Sequence, residues 1–145
     1  MKQVHEYLGI AVLVANAVAA VWGGVAWRMR SPSVAFWPLL RIAQAITVVA
    51  VVTGLVRTVG HHKPPDGLHY VYGVAPLVVA LVAEAMRFGA AAQELEGVED
   101  PERLTDSEQL AIARRVVVRE MAIMSIACLL VVTLALRAAQ SGGLF

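Results

Sequence analysis

The chain has 145 residues, 59% of them hydrophobic and only 16% charged, and its mean hydropathy of +0.68 is well above that of an ordinary soluble domain, which makes membrane the first expectation. A formal net charge of +1 supplies no field that would recruit nucleic acid or steer an acidic substrate. The single cysteine, Cys128, lies inside an apolar run, so no disulfide framework holds the fold and the residue reads as a small core side chain.

A helix that crosses about 30 Å of hydrocarbon needs about 20 largely apolar residues. The first such run covers residues 7–27, with Asn16 as its one strongly polar side chain. It is longer than the apolar region of a secretory signal, so it is expected to stay as a span. A short link from Met29 to Ala35, broken by Ser31-Pro32, leads to a second run at 36–56. A second link, Gly60 to Leu68, carries the turn signal Pro64-Pro65-Asp66-Gly67 and leads to a third run at 69–86. None of these runs alternates with a period of two, so helices fit and a barrel does not. Gly9, Gly23, Gly24, Gly54 and Gly73, among many alanines, read as packing positions where helices approach closely.

The long connection, about 88–115, is rich in Glu and Arg and reads as a helical hairpin outside the bilayer. Ala90 to Leu95 can extend the third helix as far as Gly97, and Asp100-Pro101-Glu102 reads as the start of a new turn. Thr105 followed by Glu108 is a capping-box pattern, after which no breaker intervenes before the fourth run at 116–136. The expected fold is therefore all-α: a polytopic membrane protein with one domain, an antiparallel four-helix transmembrane bundle in the lipid bilayer.

Basic residues are unevenly divided. Arg28, Arg30, Arg41, Arg87, Arg103, Arg114, Arg115 and Arg119 share one face, and Lys2, Arg57, Lys63 and Arg137 the other. The positive-inside rule makes the first face cytoplasmic and puts both termini outside the cell membrane. Trp27, Phe36, Trp37 and Phe88 gather at the arginine-rich interface, and Tyr7, Tyr70 and Tyr72 at the other, as an aromatic belt would.

All four histidines fall on the outer face. His5 lies just before the first span and His69 at the head of the third. Two imidazoles at matching depth can ligate one haem iron, which makes His69 and His5 the candidate haem b ligands of a redox or quinone-linked protein. The alternative is an outward-facing Zn or Cu site in which His61, His62 and Asp66 join as ligands. At the opposite interface Arg41, Glu84, Arg119 and Glu120 are expected to form interhelical ion pairs, because charge near hydrocarbon is costly unless paired.

The run Phe36-Trp37-Pro38-Leu39-Leu40-Arg41-Ile42-Ala43-Gln44 leading to Gly54, followed by Pro64-Pro65-Asp66-Gly67-Leu68-His69-Tyr70, is similar to small bacterial four-span membrane proteins. It also resembles helical hairpins of haem-A-synthase and cytochrome-b561-like proteins. The resemblance covers the second and third spans and implies a haem ligand at His69 alone. There is no phosphate-binding Gly loop, no Ser/His/Asp set and no paired-Cys motif. The leading expectation is a small accessory or assembly subunit of the membrane without catalysis of its own, acting with a membrane protein partner or as a homo-oligomer.

Overall fold

The computed structural model describes residues 2–59, 67–96, 98 and 104–142. Four helices account for nearly all of them: α1 (Lys2–Arg28), α2 (Phe36–Val59), α3 (Leu68–Leu95) and α4 (Asp106–Ser141). All four are long and apolar enough to cross a membrane, and between 17% and 33% of each most apolar window is buried within the bundle. The outward valines and leucines, such as Val14, Val21, Val49, Leu81 and Leu129, form the surface that lipid covers.

Each helix end has a local cause. α1 stops in a Schellman turn, in which Ser31 N–H bonds to Ala26 O and Arg30 N–H to Trp27 O, with Arg30 in the left-handed region at φ 50°. The Arg114 guanidinium donates to the Arg30 carbonyl at 3.0 Å, which fastens this turn to α4. Thr105 caps α4 with both capping-box bonds present: Glu108 N–H donates to the Thr105 hydroxyl, and the Glu108 carboxylate accepts from Thr105 N–H. The helix then runs unbroken for 36 residues, as the sequence pattern predicts. At 1.5 Å per residue α3 and α4 reach about 42 Å and 54 Å, against about 30 Å of hydrocarbon, so both project beyond the arginine-rich face. The turn expected at Asp100-Pro101-Glu102 lies outside the described residues.

The helices pack in the ring order α2, α1, α4, α3, while α2 and α3 approach each other at few points. Phe36, Leu40, Met121 and Met124 are the large, fully buried side chains. Ala19, Ala43, Ala83 and Cys128 fill in between them. Two expectations need correction. Phe36 is not an interfacial anchor: its ring is fully buried and meets Trp37 edge-on at 5.4 Å. Of the five glycines read as packing positions, Gly23 abuts the Phe36 ring and Ser125 and Gly54 abuts His5, whereas a Cβ on Gly9, Gly24 or Gly73 would meet nothing within 4 Å. An evenly apolar sequence marks glycines without telling which of them face a neighbour.

In mid-bundle the Asn16 amide donates to the Thr47 hydroxyl at 3.2 Å and to the Val12 carbonyl at 2.9 Å. These bonds use both N–H groups of the Asn16 amide and link α1 to α2.

Candidate functional site

The starts of α1 and α3 stand side by side at one end of the bundle, and each carries a histidine in its first turn or so. The His5 and His69 rings lie 6.1 Å apart, centre to centre, with planes at 74°. The two residues that the sequence singles out for a shared ligand are thus brought together.

Each ring is held differently. His69 Nδ1 lies 2.9 Å from the Ala138 carbonyl of α4. A carbonyl only accepts, so Nδ1 donates, which is how the second nitrogen of a metal-ligating histidine is commonly fixed. The ring is seated against Gly142, where a Cβ would come within 2.9 Å of it. His5 rests on Gly54 of α2, where a Cβ would come within 3.1 Å of its ring. Its Nδ1 is buried without a hydrogen-bond partner among the described residues. An orphaned buried ring nitrogen costs about 1 to 3 kcal/mol unless something outside the chain satisfies it.

Both rings line a half-open cavity of about 350 Å³, at the lower end of the roughly 300 to 1,000 Å³ that small-molecule sites occupy. All four helices contribute small residues to its wall: Gly9, Gly54, Gly73 and, on α4, Ala135, Ala138 and Ala139. Pro76 of α3 also lines it and, having no N–H, leaves the Tyr72 carbonyl one turn earlier without its helical donor. Valines 12 and 51 make the floor apolar.

At the other face α2 and α3 are tied together. Arg41 pairs with Glu84 at 2.5 Å, the Gln44 amide donates to Glu84 at 2.8 Å, and Arg87 pairs with the second Glu84 oxygen at 3.1 Å. Arg87 then reaches Glu120 of α4 at 4.0 Å and lies over the Trp37 and Phe88 rings at 5.3 and 5.4 Å. Arg41, Glu84 and Glu120 therefore share one chain of ion pairs, with Arg87 as the bridge. Arg119 is the exception to the expected network. It points to Glu94 at 3.3 Å, beside Arg115 at 2.9 Å, because one residue of helix, about 100°, turns it away from the face on which Glu120 meets Arg87. The i,i+3 spacing of Glu84 and Arg87 was the signal for the bridge. Replacing Glu84 by alanine is expected to leave two arginines without their carboxylate and to lower stability by about 1 to 3 kcal/mol. Thermal unfolding in detergent checks this, and an unchanged midpoint would contradict it.

His61, His62 and Asp66 lie outside the described residues. Among the described residues no group of three or more His, Cys, Asp or Glu side chains is placed to hold a metal ion. The cavity wall includes two residues that the sequence did not single out, Glu6 and Arg57. Arg57 follows Gly54 by three positions, which puts it on the same side of α2. Comparison with known protein families, with curated proteins and with solved structures found no match for the chain.

Proposed function

We propose that the chain is a b-type haem-binding protein of the cell membrane in which His5 and His69 would hold the haem. The single observation that supports this is the ring spacing. An imidazole nitrogen lies about 1.1 Å from its ring centre and binds a metal at about 2.0 Å, so two rings on one ion stand about 6.2 Å apart when opposed and about 5 Å apart at a tetrahedral angle. The separation of 6.1 Å matches the opposed arrangement. A bare Zn or Cu ion needs three or four protein donors, whereas a porphyrin brings four nitrogens and asks the protein for two. The walls of glycine and alanine leave room for a flat ligand. When bound, such a group exchanges single electrons, which suits a carrier rather than a hydrolytic enzyme.

The test is an absorption spectrum of the detergent-purified protein, as isolated and after addition of hemin. A Soret band with reducible b-type peaks is expected. A featureless spectrum after hemin addition would overturn the reading, and one zinc or copper per chain by elemental analysis would select the alternative in which His61, His62 and Asp66 take part.

A second reading, an accessory or assembly subunit, is favoured by the projecting ends of α3 and α4, where Glu94 with Arg115 and Arg119 stiffens a hairpin that a membrane protein partner or a second copy can contact. The uneven arginine count supports an arrangement with both termini outside and this hairpin in the cytoplasm. A reporter fused after Phe145 is expected to read as external, and cytoplasmic activity would reverse the orientation.

A further inference from the structure

Arg57 is half-buried near the outer end of α2 and lines the same cavity as the two histidines. It makes no hydrogen bond or ion pair among the described residues, although the largely covered Arg87 at the opposite face is paired with Glu84 and Glu120. Glu6 also reaches the cavity, from α1. A guanidinium is always charged and presents five donors in a planar fork matched to a carboxylate. Beside an apolar wall it is expensive until a counter-charge arrives. We infer that Arg57 is the anchor for an acidic group on the pocket's ligand, so that the site takes a carboxylate-bearing amphiphile with its apolar body between α2 and α3 and its acid at the outer rim.

This inference deepens the haem reading and rests on it, since a b-type haem carries two propionates on one edge. It adds that Arg57 would hold the acidic edge of the bound group, with Val12 and Val51 lining the apolar part of the same cavity. Lipid phosphate is the competing source of negative charge, because an interfacial arginine can snorkel to headgroups. The placement of Arg57 on the cavity wall favours the ligand's own carboxylate.

The experiment titrates hemin and hemin dimethyl ester, which differ only in whether the propionates are ionisable, into the wild-type chain and into Arg57→Gln, both in lipid-free non-ionic detergent. Charge-assisted bonds are worth about 1.5 to 3 kcal/mol, so the wild type is expected to prefer the diacid by about ten- to a hundredfold. Arg57→Gln should bind both forms alike, with the affinity that the wild type shows for the ester, and Arg57→Lys should recover part of the preference. Circular dichroism of each variant controls for folding. An equal preference in the wild type and Arg57→Gln, or none in the wild type, means that Arg57 serves lipid phosphate or solvent and overturns the inference while the haem reading stands. If neither porphyrin binds the wild type, the haem reading and the anchor fall together.

Discussion

His69→Ala is expected, on the proposed haem reading, to lose more than about 100-fold in hemin affinity, because even the outer partners of metal-ligating histidines are worth about 10- to 100-fold. The Soret band of the purified variant should vanish or fall to a trace. His5→Ala would remove the second proposed ligand, and any retained haem should show a moved Soret maximum. Neither change should unfold the bundle. Both rings sit at the end of the bundle away from the packed core of Phe36, Leu40, Met121 and Met124, and alanine is a good helix former. Titration with hemin, followed in the Soret region, separates the outcomes. Variants that bind as tightly as the wild type, with an unchanged spectrum, would show that the imidazoles are not ligands.

Gly23→Ala and Gly24→Ala form a pair of neighbours with opposite expected effects. At Gly23 a new Cβ would overlap the Phe36 ring and the Ser125 hydroxyl, both buried. Neither can move without disturbing the contacts of α1 with α2 and α4, so Gly23→Ala should cost about 1 to 3 kcal/mol, and Gly23→Val more. At Gly24 a Cβ meets nothing within 4 Å, so alanine there is neutral or adds up to about 1 kcal/mol through helix propensity. Thermal midpoints in one detergent compare the two, and equal shifts would refute the assigned packing of α1 on Phe36.

Much of this was legible in the sequence. The capping box at Thr105 and Glu108 announced the start of α4, because capping depends on residues within one turn. The extension of α3 past the bilayer followed from the run Ala90 to Leu95, which holds no breaker. The pairing of Glu84 with Arg41 followed from their matching depth on adjacent antiparallel helices. Arg119 could not be placed in the same way. It lies one residue before Glu120, and a 100° rotation of the helix decides which of the two faces Arg87 and which faces Glu94.

What the sequence by itself determined is the set of features that depend on length and local hydropathy: four helices long and apolar enough to span a membrane, and the end of the bundle at which each of the described charged side chains lies. What only the tertiary structure decided is the rotation of each helix about its own axis. In a soluble bundle a polar stripe fixes that rotation, but α2 is almost evenly apolar all round, and lipid accepts any of its faces. Interlocking small and large side chains set it instead, as where Gly23 receives Phe36 and Gly54 receives His5. That rotation turned His5 and His69 toward each other, put Arg57 on the cavity wall, and left Gly9 and Gly73 lining a space rather than a contact.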